Sequence, residues 1–96
     1  MIPPVILPVV RRALLDLMAD VGGEQNDDVL AKLLVSLGHR IARRDVAEQL
    51  GWLDVNGLVR SERLGPYTVA EILPDGIDCA EGRLQVEGVD RHRTGR

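Results

Sequence analysis

Four basic residues, His39, Arg40, Arg43 and Arg44, stand where a turn passes into a helical pattern. Arginine presents a planar fork of donors matched to phosphate oxygens, so such a cluster at a helix start can neutralise a nucleic-acid backbone. Further along the same pattern, Gln49 carries the amide that pairs with adenine in a major groove. Arg60 and Arg63 follow in a strand-like stretch from which they could touch the backbone or a minor groove. The same residues admit plainer roles. The turn cluster can pair with Asp27, Asp28 or Asp45, and Arg60 and Arg63 can pair across strands with Glu62 and Glu71. Asp45, Glu48 and Asp54 share the helical segment with the arginines, and the chain's net charge of −3 opposes a polyanion.

Other chemistries find less support. Cys79 sits beside Asp78 and Glu81, where no positive group would stabilise a thiolate, and a lone cysteine cannot close an intramolecular disulfide. With two histidines the chain lacks a tetrahedral zinc set. There is no phosphate-binding glycine loop and no carboxylate pair with catalytic company, so the expectation is a protein that is not an enzyme and takes no cofactor or metal. Trp52 is assigned to the core rather than to base stacking.

These residues need a scaffold, and 96 residues are enough for one core without staples. With no Phe, one Trp and one Tyr, that core must be aliphatic. Helical spacing predicts a first helix over 8–21, with Val10, Leu14, Leu15, Leu17 and Met18 inward, Arg11, Arg12, Asp16 and Asp20 on its other side, and Gly22-Gly23 as its stop. A second helix is expected over 27–37, capped by Asn26, with Val29, Leu30, Leu33, Leu34 and Leu37 as its apolar stripe. A third is expected over 43–55, closing at Asn56-Gly57, with Val46, Leu50 and Leu53 inward. "LVRSERL" and "YTVAEIL", flanking Gly65-Pro66, read as a hairpin. A short fourth helix is expected from Asp75 to about Leu84, carrying Ile77, Ala80 and Leu84 inward. Residues 85–96, with Arg91, Arg93 and Arg96, are expected as a loosely docked or disordered basic tail.

The string "VAEQLGWLDVNGLV" resembles the recognition helix and first wing strand of winged-helix regulators, including the arsenic-repressor-like class. Those families are apolar where Val46, Leu50, Trp52 and Leu53 stand, and continue as Gly57, Leu58 and Val59 do. Over residues 11–91, "RRALLDLMADVGGEQNDDVLAKLLVSLGH", "WLDVNGLV", "LPDGIDCAEGR" and "VEGVDR" are similar to a family of small proteins encoded by Mu-like transposable phages and prophages. That resemblance implies a winged-helix-like fold and no catalytic activity. Ala42 and Leu73 depart from it, standing where the family has hydroxyl residues that cap the third and fourth helices.

The expectation is therefore a mainly α winged helix-turn-helix over 1–84, with three helices, a two-stranded wing and a short C-terminal helix. Its function would be duplex-DNA binding, as a transcriptional regulator or DNA-associated factor, through Arg40, Arg43, Arg44, Gln49, Arg60 and Arg63. The alternative is an assembly adaptor on the same scaffold, with a phage protein as partner and no DNA. The apolar start "MIPPVILPVV" is too short and proline-broken for a membrane span. It is assigned to a homodimer interface through Ile2, Val5, Ile6, Leu7 and Val10, in a cytoplasmic protein.

Overall fold

A computed structural model describes residues 1–92. One 3-10 turn over Pro4–Ile6 leads into α1, Leu7–Val21. The strand β1, Glu24–Asn26, connects it to α2, Asp27–Ser36, and α3, Arg43–Val55, follows after a turn. The strands β2, Val59–Leu64, and β3, Tyr67–Ile72, precede α4, Pro74–Ala80. All three strands form one antiparallel sheet in the order β1-β3-β2. The fold of the described residues is thus mixed α/β, with four α-helices and three strands, where the sequence led to a two-stranded wing.

The missed strand is instructive. Glu24, Gln25 and Asn26 are polar and carry no alternation, so nothing local favours a strand. Their extended state comes from pairing with Glu71, Ala70 and Val69 of β3. Local signals governed elsewhere. The Asn26 side chain accepts from the Val29 N–H at 2.8 Å, which satisfies an otherwise orphaned donor at the start of α2. Ala42 and Leu73 give α3 and α4 no side-chain cap, as the departures at these positions imply. Gly57 closes α3 at φ 75°, and the next amide, Leu58 N–H, returns to Leu53 O at 3.0 Å.

The core is aliphatic. Val10, Leu14, Leu15 and Met18 of α1 meet Leu30 and Leu34 of α2, Val46, Leu50 and Leu53 of α3, and Leu58, Val59 and Ala70 of the hairpin region. The stripe assigned to α2 is narrower than its spacing implied: Val29 and Leu37 are exposed and Leu33 is half-buried. Helix α4 stops at Ala80, short of Leu84. Gly76, Cys79 and Ala80 face inward and Ile77 outward, because the Gly76 backbone lies against the Leu58 carbonyl and Ile72 with no room for a Cβ.

Residues 85–92, expected as part of a loose tail, lie against α1 instead. Val89 is buried and Val86 packs on the core. Asp90 N–H donates to Pro8 O at 3.1 Å. The arginines assigned to the outer side of α1 hold this segment: Arg11 donates to Gly88 O at 3.0 Å and Arg12 to Asp90 O at 3.0 Å. Arg93 and Arg96 lie outside the described residues. Among the described residues no helix is long and apolar enough to cross a membrane.

Candidate nucleic-acid interface

The start of α3 and the tip of the hairpin converge. A cleft of about 490 Å³ between them is lined by Asp27, Arg43, Arg44, Ala47, Arg63 and Pro66. Residues far apart in the chain thereby place three guanidinium groups around one concavity. The uncapped start of α3 adds the positive end of a helix dipole. Arg44 and Arg40 are exposed, and among the described residues no ion pair reaches either.

The other expected site residues divide. Arg43 is half-buried: its Nε lies 3.4 Å from Asp27 Oδ2, its Nη2 donates to the Pro66 carbonyl, and its Cζ stands 4.6 Å from the Tyr67 ring centroid. Arg60 faces Glu71 across the strands and pairs with it at 2.5 Å, the cross-strand partnership open from the sequence. Arg63 lies opposite Thr68, not opposite a carboxylate, and its Nε donates to Gly65 O at 3.0 Å.

Gln49 is not presented to a groove. It is 6% exposed and its Oε1 accepts from Arg11 Nε at 2.8 Å. The correction follows from helix geometry: Gln49 lies one turn from Val46 and one turn from Leu53, on the flank of the inward side of α3, and the polar residue there is accommodated because Arg11 of α1 reaches it. Arg11 also lies 3.8 Å from the Trp52 ring centroid, and burial lowers its pKa. Trp52 is thus half-buried, packed between Arg11 and the Gly88 backbone, where a Cβ would stand 2.7 Å from the ring.

Two of the three acids that opposed DNA contact are turned away. Asp45 is buried and lies 3.3 Å from the Met1 amino group. Asp54 accepts from Ser61 N–H at 2.7 Å and from Ser61 Oγ at 3.0 Å. Glu48 alone of the three remains exposed on the outer face of α3.

The residues assigned to a dimer interface also divide. Ile2 at 8% and Val10 at 0% exposure belong to the chain's own core, and Leu7 packs against it. Val5 is 83% exposed, with Ile6 and Val9 less so. Burial pushes the Cys79 thiol up, against a smaller opposing effect of Arg12. Among the described residues no group of three His, Cys, Asp or Glu side chains could hold a metal ion.

Over 83 residues the chain is 36% identical to "Uncharacterized protein gp26" of Escherichia phage Mu, a match covering 86% of each protein. The chain belongs to the gp26 family of Mu-like phage proteins. Membership carries a phage origin and no activity, because the gp26 relative is itself uncharacterized. No family model and no solved structure matches the chain.

Proposed function

We propose that this gp26-family protein binds double-stranded DNA on a winged-helix scaffold, with the arginine cleft between α3 and the hairpin tip as its phosphate site. One observation carries the reading: Arg43, Arg44 and Arg63, from two separate elements, line a single cleft at the start of a helix. The element order, helix, short strand, two helices and hairpin, supports a winged-helix reading. Along the outer face of α3, Arg44, Ala47, Glu48 and Gly51 follow at helical spacing, and a Cβ on Gly51 would meet nothing within 4 Å. Small side chains in the middle of that face let a helix backbone approach a groove closely. Near the N-terminus, Val5, Ile6 and Val9 are exposed and available for a homodimer contact.

A second reading, a protein-interaction adaptor without DNA, draws on Glu48 in the middle of the same face and on Val55, 85% exposed at its end. Duplex affinity measured across a salt series separates the two. A protein that neutralises Z phosphates loses affinity with a log–log slope of about −0.9Z. The duplex reading expects a steep slope; a flat response at all salts would overturn it in favour of the adaptor.

A further inference from the structure

We infer that Arg43 is a positioning residue that latches the hairpin tip to the start of α3, and that Asp27 is the latch's anchor; phosphate contact falls to Arg44 and Arg63. The inference rests on the duplex reading of the cleft. Arg43 begins α3, and its guanidinium reaches three other places: Asp27 at the start of α2, the Pro66 carbonyl in the hairpin loop, and the Tyr67 ring at the start of β3. A single side chain therefore joins both helices to the hairpin tip. Its planar fork serves a carboxylate and a carbonyl at once while its face stacks on an aromatic ring, a combination that an ammonium cannot reproduce.

Asp27 explains why the arginine stays. The Asp27 side chain is 5% exposed, and among the described residues its Oδ1 has no hydrogen-bond partner. A carboxylate so far removed from water is costly unless a cation stands beside it, and Arg43 is that cation. The pair offsets its own charge, so Arg43 adds little to the neutralisation of an incoming polyanion. What it adds is geometry. Asp54 already ties Ser61 of β2 to the far end of α3, and Arg43 ties the hairpin tip to the near end. With both ends held, the spacing of Arg44 and Arg63 across the cleft is fixed before any ligand arrives.

A positioning role and a phosphate contact make opposite predictions for two variants. If Arg43 positions, Asp27→Asn weakens duplex affinity by roughly five- to thirtyfold, and Arg43→Lys behaves like Arg43→Ala. If Arg43 touches phosphate, Asp27→Asn frees a cation and strengthens binding, and Arg43→Lys restores it. The salt slope adds a second axis: Arg44→Ala should reduce its magnitude by about 1, whereas Arg43→Ala should weaken binding at every salt with the slope retained. Amide exchange at the closing pair Leu64 and Tyr67 reads the latch without DNA. It should accelerate by roughly five- to thirtyfold in both Arg43→Ala and Asp27→Asn, while the β1–β3 pairs keep their protection. Unchanged exchange at the tip, or rescue by lysine, overturns the inference. If the wild-type protein binds no duplex at all, the duplex reading falls, and tip exchange alone still decides whether the latch exists.

Discussion

Two Arg-Arg dipeptides, 11–12 and 43–44, have the same composition and opposite fates. The pair on α1 is absorbed by the fold. Arg11 stacks on Trp52 and bonds Gln49 and Gly88, while Arg12 donates to the carbonyls of Cys79 at 2.9 Å, Ala80 at 3.2 Å and Asp90 at 3.0 Å. The pair on α3 is only half absorbed, for Arg43 is engaged and Arg44 is exposed without an ion pair among the described residues. Carbonyl groups that α4 and the C-terminal segment leave open surround the first pair; a concave polar surface faces the second. An arginine's role is decided by which unsatisfied groups the fold brings to it.

Leu50, fully buried on the inner face of α3, should lose ~2–5 kcal/mol of stability on truncation to Ala. An unchanged denaturant midpoint would mean that the helix carrying Arg43 and Arg44 is rotated from the orientation described, and the contrast would collapse. Next comes Arg12→Ala. It strips donors from carbonyls at the α4 end, and leaving such acceptors unmet costs ~1–3 kcal/mol. A thermal midpoint equal to that of the parent would show that the first pair is not structural.

Arg44→Ala is the counterpart. Its stability should stay within about 0.5 kcal/mol of the parent, as for a surface substitution that breaks no partner, with its whole effect in the salt dependence of duplex binding. A large fall in melting temperature would erase the distinction between the pairs. Glu48→Gln, on the same outer face, should strengthen duplex binding modestly by removing a like charge near phosphate; weaker binding would mean that Glu48 accepts from a base.

The smallest effect concerns the carboxylate beside the first pair. Burial raises the pKa of Asp16, with the Arg12 charge and hydrogen bond opposing. The folded state therefore holds the proton more tightly than the unfolded chain. Stability from this group is present below the unfolded pKa and declines as pH rises through the folded one. Asp16→Asn should thus flatten the stability–pH curve slightly in the carboxylate range, leaving the variant marginally the more stable at neutral pH. A pronounced loss at neutral pH would show that the 3.3 Å Arg12–Asp16 pair matters more than the burial of its acid.

Much of this was legible in the residues. Helix α3 and its inward Val46, Leu50 and Leu53 followed from spacing, and the Asn26 cap from side-chain chemistry, whereas the convergence of Arg43 and Arg44 with Arg63 on one cleft is visible only in the fold. What escaped was set by distant partners. Gln49 looks outward as an amide, and only Arg11, from another helix, makes its burial tolerable. Residues 85–92 look too polar to dock, yet Val86 and Val89 at helical-turn spacing, with Gly88 small enough to lie under Trp52, held the signal. Strand β1 had none, since its conformation belongs to its pairing with β3.

The bond from Asp54 to Ser61 reaches beyond the placement of the hairpin. With β3 in the middle of the sheet, β2 is an edge, and an open edge is a template onto which another chain can add a strand. The Ser61 N–H is occupied by the Asp54 carboxylate, and Arg60, Glu62 and Arg63 place charge along the same strand. The carboxylate that looked like an obstacle to DNA thus caps one donor of an edge onto which a neighbouring chain could otherwise add a strand.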